Sequence, residues 1–234
     1  MTPSLRRDAA LLSIALCAVV AWDMSGLDLW LTRFFGGSHG FPLREHWLAA
    51  GVLHDGGRVA GWLVLATAML RRDVSAPQRL WWLGTTLACA IAIQLLKQAS
   101  ATSCPWAQAE FGGIATYVSH WRWGVADGGS GRCFPSGHAA SALALLPGVY
   151  VLRGAAARRW LLMLIAGAVL FGAAQLVRGA HYASHTLWTA WVCWALTAAS
   201  HHAAAAAAWR RPGVATDGIS GCLRQPAERS KAPS

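Results

Sequence analysis

The sequence predicts an all-α integral membrane protein, a bundle of about six transmembrane helices, and three observations carry that prediction. Of the 234 residues, 55% are hydrophobic and only 13% charged, a balance too apolar for a soluble domain of this size. Apolar runs approaching the thickness of a bilayer recur at roughly 8–24, 56–70, 79–96, 137–153, 160–177 and 185–209. The basic residues then fall in alternate connections between those runs, the pattern that positive-inside topology produces.

Taken in order, the first run follows "LRRD" and has the look of a signal peptide. Its end, "AVVAWDMSG", is a poor cleavage site, and five more runs follow, so it reads as a retained helix. Arg6 and Arg7 precede it. Arg71, Arg72 and Arg79 lie between runs two and three, Arg153, Arg158 and Arg159 between four and five, and Arg210 and Arg211 after six. All of these segments fall on one side, which is the cytoplasmic one. The formal net charge of +10 is then a topology signal and a contact with anionic headgroups. With no basic stripe interleaved with aromatics, no nucleic-acid partner is expected.

Trp22, Trp81, Trp82, Trp160 and Trp209 sit at run ends, where an amphipathic ring anchors at the headgroup level. Residues 1–209 form one membrane domain. The stretch 210–234, rich in Gly, Pro, Ser and charge, reads as a disordered cytoplasmic tail. Small residues in "GHAASALALLPG" and "LLMLIAGAVLFGAAQ" let helices pack closely, within one chain or between chains, and no oligomeric state follows from them.

The opposite, outer side receives the chemically unusual side chains. Lys97 ends the third run, at a depth where an ammonium must snorkel or find a partner. "GRCFPSGHAASALALL" sets Pro-Ser-Gly-His directly before an apolar run. Ser136 suits an N-cap, which would aim the backbone N–H groups of Gly137, His138 and Ala139 outward at an anion such as phosphate. In "QLVRGAHYASH", an unbroken helix would place Arg178, His181 and His185 on one face within about 60°. Together these make a positively charged pocket at a membrane surface, suited to a phosphate carried by a lipid.

These residues resemble the type-2 phosphatidic acid phosphatase and vanadium haloperoxidase superfamily, in its six-span membrane branch, over about residues 54–190. The family pattern is Lys, six residues, Arg-Pro; then Pro-Ser-Gly-His; then Ser-Arg, five residues, His, three residues, Asp. Here "KQASATSCP" supplies Lys97 and Pro105, "PSGH" is complete, and "AQLVRGAHYASH" supplies His181. The resemblance implies that His181 attacks phosphorus to form a phosphohistidine, that His138 protonates the leaving group, and that Lys97, Ser136 and the Gly137 backbone hold the phosphoryl oxygens. It implies hydrolysis of a lipid phosphomonoester or diphosphate at the periplasmic face of a bacterial inner membrane, with no metal or other cofactor, and leaves open transfer of the phosphoryl group to a second lipid in place of water.

Three positions depart from the pattern. Cys104 stands where the first Arg belongs, Gln175 where the second belongs, and His185 where the Asp that orients the nucleophile belongs. Arg178 is the expected replacement guanidinium, with Arg58 or Arg132 as a second. His185 is expected to orient His181, or Asp127 or Glu110 from the outer loop to do so. Cys104 and Cys133 each adjoin a motif and are either free or bridged, depending on their Cα separation. Three rival readings exist. One is a zinc site on His138, His181 and His185, another a protein that binds or moves a phosphorylated lipid without chemistry. The third, a Ser136 protease, lacks the expected Gly-x-Ser-x-Gly elbow.

Overall fold

A computed structural model describes residues 2–122 and 124–209. The tail 210–234, with Arg210 and Arg211, lies outside the described residues, as does the side chain of Trp209. Among the described residues the chain is helical and without strands; its extended pairings are two isolated bridges, Gly37 with Gly40 and Gln108 with Ala115.

Helix α1 (Pro3–Met24) begins with Pro3 in its first turn and the Thr2 hydroxyl accepting from Leu5 N at 3.3 Å, a strong start signal. A short α2 (Leu27–Thr32) follows. A π-helical stretch, Leu48–Gly56, runs directly into α3 (Gly57–Met69). Helix α4 (Ala76–Ala99) opens on a capping box in which the Gln78 side chain reaches back to Ser75 N at 3.1 Å. The outer loop carries two 3₁₀ turns, Pro105–Ala107 and Ala109–Phe111, and leads to α5 (Ala140–Leu143), α6 (Pro147–Val151), α7 (Gly154–Val177) and α8 (Ala183–Trp209).

The fourth expected run differs from its prediction. It is helical over 140–151 but interrupted by a turn at 144–146, just before Pro147, which has no N–H to continue a helical ladder. Among the described residues, α4 and α7 are the two helices both long and apolar enough to cross a membrane, and 140–151 is apolar but shorter.

Helix α8 packs against α1, α4, α5 and α7. The core where they meet is built from small side chains, Cys89, Ala139, Ala140, Ala168 and Cys193, with Ile93 and Leu143, which lets the backbones approach closely. Trp82 is corrected from interface anchor to core residue: it is fully buried and packs edge-on against Trp160, ring centroids 5.1 Å apart.

The bundle has two chemically distinct ends. At one, Arg71 and Asp73 share a surface depression with Arg153, and Asp8 joins α1 to Tyr150 and His202 at 3.1 and 3.0 Å. At the other, the C-terminal ends of α4 and α7 bring Lys97 and the His181 turn together with the outer loop. The basic connections and the motif residues therefore lie at opposite ends of α4 and α7.

Candidate active site

Three chain segments build the site. Lys97 occupies the last turn of α4, half-buried, with its Nζ 3.7 Å from the point a Cβ on residue 137 would occupy. The ammonium thus lies along bare backbone at Gly137.

Ser136, fully buried, is fixed to α8 twice. Its N–H donates to His185 O at 3.2 Å, and its carbonyl accepts from Thr189 Oγ1 at 3.0 Å. Its hydroxyl accepts a long 3.4 Å bond from Ala139 N, consistent with the capping role. The helix expected to begin at Gly137 is corrected, however: Gly137, His138 and Ala139 form turns, and regular α-helix starts at Ala140 and lasts four residues. Little macrodipole can accumulate over so short a helix.

The third segment is the turn between α7 and α8. Helix α7 stops at Val177 because Gly179 takes φ +69°, and a Cβ there would come within 2.3 Å of the Phe41 ring, so only glycine fits. Gln175 O accepts from both Ala180 N and His181 N, at 2.8 and 3.3 Å, which shapes the turn that presents His181. The unbroken helix that placed Arg178, His181 and His185 on one face is therefore corrected. The break itself brings His181 to His185, with Nδ1 to Nδ1 at 3.3 Å. At that distance one nitrogen carries the proton and the other accepts it. The His138 ring lies 6.0 Å from that of His181, centroid to centroid.

The outer loop closes over these groups. Cys104 and Cys133 are bridged, with Cα atoms 5.1 Å apart, and Cys133 Sγ lies 3.6 Å from His181 Nδ1, so the disulfide walls one side of the His181 ring. Trp106 N donates to Gly179 O at 2.9 Å, tying the Lys97 loop to the His181 turn. Both candidate carboxylates of this loop are engaged elsewhere. Asp127 accepts from Ser103 N, Ser103 Oγ and Gly129 N at 2.5, 2.9 and 3.0 Å, and Glu110 pairs with Arg33 at 2.5 Å. Neither is hydrogen-bonded to His181 or His185.

Arg178 is buried, its Nε donating to Arg44 O at 2.9 Å and its guanidinium 6.0 Å from the Trp106 ring. Arg58 lines a cavity of about 300 Å³ with Gln94, Gly137 and Ser141 above an apolar floor that includes Leu65 and Ile93, and its charge acts on Lys97. Arg132 is exposed in the loop.

Burial holds His181 well below the ordinary imidazole value of 6.5, and the charges of His185, Lys97 and His138 push it further the same way. The ring is therefore neutral at pH 7, with a lone pair free for nucleophilic attack. Cys104, Cys133 and His181 bring ligand atoms within 4.8 Å of one another. The two sulphurs are bonded to each other, so they offer no thiolate to zinc. Sequence reasoning missed His120, whose ring stands edge-on to His185, and Asp23, which accepts from His120. The one available signal was a carboxylate at the end of the first apolar run.

Fold and geometry thus define a helical bundle with a buried histidine pair beneath a cationic rim. The sequence pattern of the PAP2 superfamily matches residues 79–209, more than half of the chain, a span that includes Lys97, Ser136, His138, His181 and His185. The chain belongs to the PAP2 superfamily, whose members are phosphoesterases. Comparison with curated proteins and with solved structures finds no match.

Proposed function

We propose that the protein is a membrane lipid phosphate phosphatase, hydrolysing a lipid phosphomonoester or diphosphate at the periplasmic face of a bacterial inner membrane through a phosphohistidine on His181, without a metal. The observation that carries this reading is the convergence of a neutral His181, held at Nδ1 by His185, with His138 and with Lys97 beside the Gly137 backbone. His181 Nε2 attacks phosphorus, the bond to the leaving oxygen breaks, and His138 gives that oxygen its proton. Water then attacks the phosphohistidine, His138 accepts its proton, and the N–P bond breaks to release phosphate. Lys97, the Ser136 hydroxyl and the Gly137 N–H hold the phosphoryl oxygens, with Arg178 and Arg58 as the guanidinium groups nearest in role to the missing family arginines.

The membrane placement is supported by α4 and α7 and by the outward large side chains on them, Leu80, Ile91 and Leu95, Leu162, Ile165 and Val169, a surface that water disfavours. In this reading the chain has six spans with the basic connections inside, and the site opens at the outer headgroup level, where it meets lipids as they lie in the bilayer. Phosphate release from a panel of lipid phosphates by detergent-purified protein tests the reading. Release should survive a chelator and vanish in His181→Ala and His138→Ala. Chelator-sensitive release would instead indicate a histidine-bound metal, and no release from any substrate a binding protein.

A further inference from the structure

The orienting carboxylate expected at position 185 is replaced by His185, yet α1 delivers a carboxylate to the same neighbourhood. The Asp23 side chain is only 6% exposed. Its Oδ2 accepts three hydrogen bonds, from Trp188 Nε1 at 2.7 Å, Trp121 Nε1 at 3.0 Å and His120 Nε2 at 3.2 Å. Its Oδ1 is buried with no hydrogen-bond partner. A fold that needed Asp23 only as a clamp would share those donors between both oxygens, because an unmatched buried acceptor is costly.

His120 connects this carboxylate to the site. Its ring stacks on Phe134 at 4.0 Å and 9°, directly before Pro135 and Ser136, and stands edge-on to His185 at 5.7 Å. The charges acting on His185 are those of His120, Asp23 and Lys97, the Cys133 backbone carbonyl faces its ring as a hydrogen-bond acceptor, and the other titratable groups around it are His181, Tyr182, Tyr117 and Asp28. Asp28 is differently employed: its Oδ1 accepts from Trp22 Nε1 and Ser184 N at 2.8 and 3.0 Å, which caps the start of α8.

We infer that Asp23, with His120, is the positioning carboxylate of the His181–His185 pair: its charge, reaching His185 across the His120 ring, favours the His185 proton on Nε2, so that His185 Nδ1 accepts from His181 Nδ1–H and His181 Nε2 keeps its lone pair for phosphorus. The catalytic consequence rests on the phosphohistidine reading above; the tautomer does not. As the N–P bond forms and the leaving P–O bond breaks, the His181 ring becomes positive. That charge is shared through the Nδ1–H···Nδ1 bond and balanced by Asp23, with no proton leaving the pair.

Two measurements on the full-length protein in detergent test this. Histidine ¹⁵N spectra should show His185 as the Nε2–H tautomer, and Asp23→Asn should shift that population. In kinetics, Asp23→Asn should lower kcat about tenfold or more in the native background, and less than about twofold in His185→Asp, which places a carboxylate directly on His181. His120→Phe keeps the stack on Phe134 and should act in the same direction, a second route if Asp23→Asn folds poorly. An unchanged tautomer in Asp23→Asn, or equal losses in both backgrounds, would reduce Asp23 to a structural pin. Should the native protein release phosphate from no lipid, the phosphatase reading fails and the ¹⁵N spectra still decide the proposal.

Discussion

Helix α1 carries two buried aspartates, Asp8 and Asp23, about 22 Å apart along its axis by helical rise, and each pairs with a histidine. Asp8 distributes its hydrogen bonds over both oxygens: Oδ1 to Arg7, Oδ2 to Tyr150 and His202. Its partners border no motif residue, and the effect is to clasp α1 to α6 and α8 at the arginine-rich end. Asp23 loads one oxygen with three donors and leaves the other bare, and its histidine leads on to His185 and His181. The same chemical pair therefore does two jobs, and what decides between them is whatever lies beyond the histidine.

The largest effect is expected at the site end, from Lys97→Met, which keeps a long side chain beside Gly137 and removes the charge. Lipid phosphate hydrolysis should fall about 10²- to 10³-fold with the unfolding temperature unchanged or raised, since an ammonium opposed by Arg58 is lost. A loss below about threefold would remove Lys97 from the phosphate-binding role.

A second, intermediate effect concerns acid. The folded chain keeps His181 neutral well below 6.5, whereas the unfolded chain protonates it near that value. The unfolded state thus binds the extra proton, and stability present above about pH 6.5 declines as pH falls, being lost as pH passes the depressed folded value. The unfolding temperature of native protein should drop between about pH 7 and pH 5, more steeply than that of His181→Asn. Parallel slopes would contradict a neutral buried His181.

The smallest catalytic effect is expected at the clasp. Asp8→Asn should lower the unfolding temperature by a few degrees, on the order of the roughly 2–4 °C that accompanies each kcal/mol in a chain of this size, while leaving kcat within about twofold of native. A kcat loss rivalling that of Asp23→Asn would erase the distinction between the two ends.

Much of the site was legible in the sequence because its chemistry is written in short spacings. Lys97, the intact Pro-Ser-Gly-His and the His181 to His185 interval each lie within one segment, and composition alone was enough for a helical protein. The helical wheel paired His181 with His185 correctly for the wrong reason: the pairing comes from a Gly179 break, which a wheel cannot represent. What stayed hidden was long-range. His120 and Asp23 are 97 residues apart and Cys104 and Cys133 are 29 apart, and such pairings are set by the packing of helices rather than by periodicity. Trp82 went astray similarly, since a tryptophan near a run end is an anchor or a core residue depending on its neighbour, here Trp160.

A nucleophilic His181 passes through a covalent phosphohistidine, and the most direct test is to trap that intermediate. Native protein mixed with a ³²P-labelled lipid phosphate and quenched in alkali should carry a base-stable, acid-labile label on the peptide containing His181, formed and lost at rates compatible with turnover. Hydrolysis proceeding without any labelled protein, or label on a residue other than His181, would contradict it.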